Sequence, residues 1–341
     1  RRVLFRSVPE RVDVGRLEMQ GPTRVTAGDV VRLRYVYEAG PLGLQPGAVL
    51  RFALHNEVIE CNRRSPVIRH LPEKDWSPVQ WDDPTEAGFL AGSTSQPGAA
   101  VSFSRDDLFS VTALLDSSEP LRPGEKITIE VGMDPRGPGL RSQLLTQRDL
   151  QFKFYVDAFG HGVWHGLPSP PITVGGGPAQ QLILHAPPTP KPGEPFTLQV
   201  VAIDRFGNIA DGYRGRVKLY GPAGTQGLPE TLTFTDANAG VASVAPALPD
   251  DFVGVFRAVD VDDTLLNGQS NLVVTTGEFG PDAIVFGDIH THSQGSDGRL
   301  TPEEKVREVR NLRGCDCWAL TDHCYDLTPR RQRRQERVID E

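Results

Sequence analysis

From Val8 to about Val174 apolar and polar residues alternate in short runs. Val31, Leu33, Tyr35 and Tyr37 stand against Arg32 and Arg34, the period of two expected of a half-buried strand, whose successive side chains point to opposite faces. Phe52 and Leu54, then Ile127, Ile129 and Val131, then Phe152, Phe154 and Val156 repeat it. A turn phrase recurs ahead of such runs as Ala27-Gly28-Asp29, Pro123-Gly124-Glu125 and Pro192-Gly193-Glu194, in which glycine supplies the turn and the acid its polar exit. The repetition predicts tandem β-sandwiches. Gly175-Gly176-Gly177-Pro178 reads as a linker, so the first sandwich is placed over residues 8–175 and the second over 176–277. In the second, Phe196, Leu198, Val200 and Ala202 mark one face and Thr197, Gln199 and Val201 the other. Val217, Leu219, Leu232, Phe234, Val253, Val255, Leu272 and Val274 supply further strands, matching an immunoglobulin-like sandwich of about seven strands in roughly 100 residues.

The pattern changes at Gly280-Pro281-Asp282, and residues 282–341 form a third segment. Ala283 to Phe286 reads as a short buried strand. Thr301-Pro302-Glu303-Glu304 reads as a helix start, with an N-cap, proline in the first helical position and glutamate three residues after the cap. Val306, Val309 and Leu312 follow every three residues, Gly314 fits the stop, and Cys317-Trp318-Ala319-Leu320 reads as a second buried strand. Strand, helix, strand makes two parallel strands, and sites in such folds gather at the C-terminal strand ends.

Composition narrows the function. With 341 residues the chain has room for two or three domains, at roughly 100 to 200 residues each. The 35 glycines and 29 prolines against two methionines favour short strands and turns. A formal charge of -8 gives no electrostatic reason to expect nucleic acid or an anionic membrane as partner. The run Arg330, Arg331, Arg333 and Arg334, followed by glutamates, reads as a solvated helix face. No apolar run approaches the ~20 residues of a membrane span. Of the four cysteines, Cys315, Cys317 and Cys324 cluster while Cys61 is remote, which is neither a disulfide framework nor the spacing of a structural zinc site. Cys315 and Cys317 read as buried packing. Arg-Arg-Val-Leu-Phe-Arg-Ser, residues 1–7, is one reading frame of a common sequencing-library adapter and is excluded from fold reasoning. The chain also lacks an initiator methionine, so it is read as a fragment and says nothing of a leader.

The chemistry concentrates near the C-terminus. Asp288, His290 and His292 lie two apart, so an extended backbone projects all three from one face and brings two imidazoles toward one metal. Thr321-Asp322-His323 ends the neighbouring strand and adds a third histidine and a second carboxylate, while Asp297 in the loop between adds a hard oxygen donor. His55, His70, His161, His165 and His185 are scattered and read as structural or exposed. There is no glycine-rich phosphate loop and no Gly-x-Ser-x-Gly elbow.

Two resemblances follow from these residues. Ala202-Ile203-Asp204-Arg205-Phe206-Gly207-Asn208, with Gly212-Tyr213-Arg214-Gly215 behind it, resembles bacterial immunoglobulin-like repeats of exported proteins, and Asp157-Ala158-Phe159-Gly160 echoes it. His290-Thr291-His292-Ser293, Ser296-Asp297-Gly298, Thr301-Pro302-Glu303-Glu304 and Ala319-Leu320-Thr321-Asp322-His323 resemble the start of the polymerase and histidinol phosphatase (PHP) superfamily. That resemblance implies a distorted β/α barrel, here truncated, whose strand ends hold two or three divalent metal ions, commonly zinc, manganese or iron, for phosphoester hydrolysis. It gives His290 and His292 to one metal, Asp297 and His323 to a neighbouring one, and to Asp288 and Asp322 a catalytic supporting role, orienting imidazoles. Cys324 departs from the acidic or small polar residue often found after Thr-Asp-His.

The expectation is thus a mainly β protein, with immunoglobulin-like sandwiches ahead of the opening of a metal-dependent hydrolase. Metal-activated water would attack a small-molecule or polymeric ester, the pKa of that water falling far below its bulk value to about 7. The sandwiches, which carry no catalytic constellation, would be accessory, attaching the hydrolase to a surface or polymer in an exported protein. The later ligands of the family do not occur before Glu341, so these residues are expected to be inactive alone. The rival expectation is a non-enzymatic surface or adhesion protein with a degenerate PHP-like tail.

Overall fold

The structure is a computed structural model that describes residues 12–53, 79–105, 110–275, 285–296, 298 and 300–323. Residues 1–7, Leu54, His55, Cys61, His70, Ala283, Asp297, Cys324 and the arginine run after 329 lie outside them. The protein is mainly β, arranged in many small sheets, and its described residues divide into two compact units that meet at Val174 and Gly175, with residues 145–147 assigned to the second. Among the described residues no helix is long and apolar enough to cross a membrane.

In the first unit, Gly15–Gln20, Leu33–Ala39, Lys126–Val131 and Leu90–Thr94 form a four-stranded antiparallel sheet in that order. A five-stranded antiparallel sheet runs His165–Leu167, Lys153–Asp157, Val49–Ala53, Ser110–Asp116 and Ala100–Arg105. The alternating residues face inward: Leu33, Tyr35, Tyr37, Phe52, Ile127, Ile129, Phe154 and Val156 are all buried. Tyr35 of the first sheet meets Phe154 of the second with ring centroids 4.7 Å apart, and Phe154 stacks on Phe52 at 5.5 Å, so the two sheets close on one aromatic core. The turn phrases behave as their chemistry requires. Gly28, Gly124 and Gly193 have φ of 79°, 84° and 73°, and the acid after each donates its N–H to the residue three back, at 3.0, 3.0 and 3.2 Å. A glycine there takes the positive φ that the third position of a type II turn requires.

The echo at Asp157 is a buried carboxylate accepting N–H bonds from Phe159 at 3.2 Å and Gly162 at 2.5 Å. Burial alone would raise its pKa, but backbone N–H groups of Gly162, His161, Phe159 and Gly160 outweigh it and hold the carboxyl below its ordinary value. The unfolded chain therefore binds the proton more readily, and the stability this group contributes is present above about pH 3.9 and lost as pH falls through the lower folded value. Between pH 5 and 2, Asp157→Asn is expected to flatten the acid unfolding curve of this unit; an unchanged slope would show that the carboxylate is not charged in the fold.

In the second unit a three-stranded sheet of Gln181–His185, Leu198–Ile203 and Val241–Val244 faces a four-stranded sheet of Thr231–Thr233, Arg216–Tyr220, Arg257–Asp260 and Asn267–Gln269. One core joins them, with Leu182, Leu184, Leu198, Val200 and Ala202 from the first and Val217, Leu219 and Ala258 from the second. This is a β-sandwich. Two runs differ from the alternation by one residue. Val253 is exposed and the inward positions are Phe256 and Ala258; Leu272 is exposed and Val273 is buried. Val253–Gly254 and Val273–Val274 instead pair with each other as a short ribbon, and a one-residue slip reverses which side chains meet the core.

The third segment belongs to this second unit. It consists of β1 (Gly287–Thr291), α1 (Pro302–Arg307), a π-helical turn over Glu308–Leu312 and β2 (Cys317–Leu320). β1 and β2 are parallel. The strand expected at Ala283–Phe286 instead begins at Gly287, and Val285 and Phe286 are exposed, 62% and 52%. Cys317 is exposed and Cys315 half-buried, both as free thiols rather than buried packing, because among the described residues their sheet has only two strands and little to cover its edges. The helix start is as expected. Thr301 Oγ1 accepts from Glu304 N at 3.2 Å while Glu304 Oε2 accepts from Thr301 N at 2.9 Å, with Pro302 in the first turn. Val309 is buried, and Gly314 adopts the left-handed φ of 62° that ends the helix.

Candidate metal centre

The two parallel strands bring the histidine motifs to one end of the sheet. Pairing runs Gly287 with Cys317, Asp288 with Trp318 and Thr291 with Leu320, so β1 advances three residues while β2 advances two. That is a bulge, and an extra residue breaks the alternation that would send Asp288, His290 and His292 to one face. The consequence is visible in the partners. Asp288 Oδ2 accepts from Arg313 Nη1 at 3.2 Å and its Oδ1 from the His290 backbone N–H at 3.2 Å. The rings of His290 and His292 remain adjacent, with centroids 5.1 Å apart, and His323 packs edge-on to His292 at 4.7 Å. The three imidazoles thus gather at the strand ends, with His290 exposed and the other two half-buried.

Beyond β1 the chain is tied down by Asp322. Its Oδ1 accepts from Ser293 N at 2.6 Å and Ser296 Oγ at 2.7 Å, and its Oδ2 from Ser293 Oγ at 2.5 Å. Ser293 and Ser296 are fully buried, so charge-assisted bonds hold the loop where water cannot compete. Thr291 Oγ1 donates to Ala319 O at 2.8 Å and Thr321 N to Thr291 O at 2.7 Å, pinning the ends of β1 and β2 together. Gly298 lies so close to the backbone that a Cβ there would come within 2.4 Å of the His292 carbonyl. The glycine of Ser296-Asp297-Gly298 is thereby explained by close approach.

Arg313, Ser293 and Ser296 are the participants that sequence reasoning did not assign a role. Arg313 also pairs with Glu308 at 2.9 Å. Burial opposes the charge of its guanidinium, but Glu308 and Asp288 more than compensate and raise its pKa. The Cys315 thiol is pushed up, by burial first and then by the Asp288 carboxylate, which keeps it protonated and a poor ligand or nucleophile at neutral pH.

The donor chemistry of the cluster, imidazoles with hydrogen-bonded carboxylates nearby, fits a borderline transition metal such as zinc. Among the described residues, however, no three histidine, cysteine or acidic side chains are grouped to hold one ion. Asp297, the oxygen donor expected beside His323, lies outside those residues. The described geometry therefore supplies adjacent imidazoles and a braced loop rather than a closed coordination shell.

No family model matches the chain, and no curated protein matches it at a significant level. Solved structures similar to parts of it include a cohesin module of a family 33 glycoside hydrolase from Clostridium perfringens, with TM-score 0.29 and 11% identity over 48% of this chain and 98% of that one. A protein described as membrane anchored from Corynebacterium diphtheriae gives 0.24 and 12% over 81% of this chain and 54% of that one. A marsupial T cell receptor gives 0.23 and 12% over 77% and 72%. With TM-scores this low, the likeness bears on neither the fold nor the function of this chain.

Proposed function

We propose that residues 282–341 open a metal-dependent hydrolase domain of the PHP type, acting on phosphoesters, and that the β-sandwiches serve it as non-catalytic modules. The observation that carries this reading is the gathering of His290, His292 and His323 at the C-terminal ends of two parallel strands joined through a helix, the place where such folds build their sites. The residues that would hold divalent ions are His290 and His292 for one and Asp297 and His323 for its neighbour. A bound divalent ion supplies hydroxide at neutral pH and neutralises developing charge on the phosphoryl oxygens. The chain's own groups do the positioning. Asp322 fixes the loop that carries Asp297 through Ser293 and Ser296, and Arg313 pairs with Asp288 and neutralises it beside the imidazoles.

Full-length protein is expected to hydrolyse a small chromogenic phosphomonoester with added manganese or zinc. His290→Ala with His292→Ala should lower kcat/KM by more than the ~10- to 100-fold that outer-shell partners contribute. Turnover at the wild-type rate in that double variant would make the motif structural and favour the surface or adhesion reading.

A further inference from the structure

We infer that the second sandwich is the platform on which the histidine strand is positioned, with His185 and Gln199 as positioning residues, so that it is more than a detachable accessory. His185 and Gln199 are direct cross-strand partners on the strands Gln181–His185 and Leu198–Ile203. They therefore point to the same side of the sheet, opposite the side on which Leu184, Leu198 and Val200 enter the core. On that outer side the alternation calls for polar residues in contact with water. Instead Val201 is fully buried, and the strand Leu198–Ile203 packs against the π-helical turn that follows α1.

The contacts are specific. His185 Nε2 lies 3.0 Å from the carbonyl oxygen of Leu312. A carbonyl can only accept, so Nε2 carries the proton and donates, capping one of the carbonyls that the end of a helix leaves without an internal partner. Burial holds the His185 pKa below its ordinary value, against the opposing pull of that carbonyl, which favours the neutral ring with a single N–H at neutral pH. Gln199 Nε2 donates to Asn311 Oδ1 at 3.4 Å. Gly314 then turns the chain against the imidazole, and a Cβ there would come within 2.4 Å of His185 Cγ and Nδ1. Three points on the tail, Asn311, Leu312 and Gly314, thus rest on two adjacent side chains of the sandwich.

From there the connection reaches the site. Arg313, between two of those anchor points, pairs with Glu308 of the same turn at 2.9 Å and with Asp288 of β1 at 3.2 Å. Asp288 in turn accepts the backbone N–H of His290. The path from sandwich to histidine runs through the His185 bond to Leu312, the peptide link to Arg313, the ion pair with Asp288 and the bond from His290, and the element it fixes is the one that carries His290.

The part of this inference that concerns metal rests on the proposed hydrolase reading; the docking does not. Two readouts on the full chain keep them apart. Amide exchange is measured for residues 302–315 in wild type, His185→Leu, His185→Gln, Asn311→Ala and Gly314→Ala, with the strand Arg216–Tyr220 as internal reference. His185→Leu and Gly314→Ala are expected to speed exchange in 302–315 by roughly tenfold, the effect of about 1.4 kcal/mol, while the reference strand is unchanged. His185→Gln, whose amide can still donate to Leu312, should restore much of the protection. Should His185→Leu unfold the sandwich, Asn311→Ala removes the acceptor of Gln199 from the tail side and gives the same reading without the backbone strain that alanine at Gly314 adds. Cobalt(II) affinity, followed by visible absorption, should fall in parallel by roughly tenfold. Unchanged exchange in 302–315 for His185→Leu and Asn311→Ala would overturn the docking. Altered exchange with unchanged cobalt affinity would overturn the positioning role, and a wild type that takes up no cobalt would overturn the hydrolase reading.

Discussion

Asp204→Ala is expected to destabilise the second sandwich by on the order of 3–5 kcal/mol, the sum of two or three buried donors left unsatisfied at about 1–3 kcal/mol each. Asp204 is 4% exposed. Its Oδ1 accepts the N–H groups of Phe206 at 2.8 Å and Asn208 at 2.9 Å; its Oδ2 accepts Gly177 N at 2.9 Å and Asn208 Nδ2 at 3.0 Å. One carboxylate therefore closes the Asp-x-x-Gly-Asn turn and clasps the chain as it enters the domain. Set against a total of roughly 5–15 kcal/mol for a domain, that loss would unfold much of the population at 37 °C. Asp204→Asn keeps an acceptor at Oδ1 and should lose roughly half as much. Urea unfolding followed by circular dichroism, with amide exchange of Leu198–Ile203 to assign the transition, measures both. A cost under about 1 kcal/mol for the alanine variant would mean that water replaces the carboxylate and that the turn is not held from within.

Phe154→Ala should cost the first unit a similar amount, about 3–5 kcal/mol, by removing apolar area and leaving a cavity. Phe154 is 1% exposed and is shared between the two sheets, tilted on Tyr35 at 4.7 Å and stacked on Phe52 at 5.5 Å. Neighbours on opposing sheets cannot close the gap without shifting a strand against its hydrogen-bonded partners. Exposed Tyr155, the next residue along the same strand and 39% accessible, is the matched control: Tyr155→Ala should cost well under half as much. Equal losses for the pair would contradict the placing of the core between these sheets.

The inward faces of the strands were legible because alternation is a local property: Tyr35, Ile129, Phe154 and Val200 are inside for the reason their spacing suggests. The turn glycines and the Thr301 capping box were legible for the same reason, since each is decided within four residues. What escaped depends on partners distant in sequence. Val273 rather than Leu272 is buried because the ribbon with Val253–Gly254 sets the register. The strand at Gly287–Thr291 begins where Cys317 pairs with Gly287, and Val285 and Phe286 of the apolar run precede it. In the candidate site, the rings of His290 and His292 lie side by side, and Thr321-Asp322-His323 follows the end of the parallel neighbour. The bulge between Asp288 and Thr291 did not show in the sequence, so the pairing of Asp288 with Arg313 was missed. Nor did the docking of Leu312 on His185, because a polar residue on the outer face of a strand looks the same whether it meets water or another segment.

Everything proposed for function turns on whether the strand-end imidazoles take a metal. The direct measurement is a cobalt(II) titration of the purified full-length protein followed by visible absorption, alongside His290→Ala/His292→Ala and the scattered His161→Ala as control. A saturable band in wild type and in His161→Ala, lost in the double variant while circular dichroism shows the β-sandwiches intact, is the predicted result. A wild-type chain with no saturable band, or a double variant that titrates like wild type, would contradict the account.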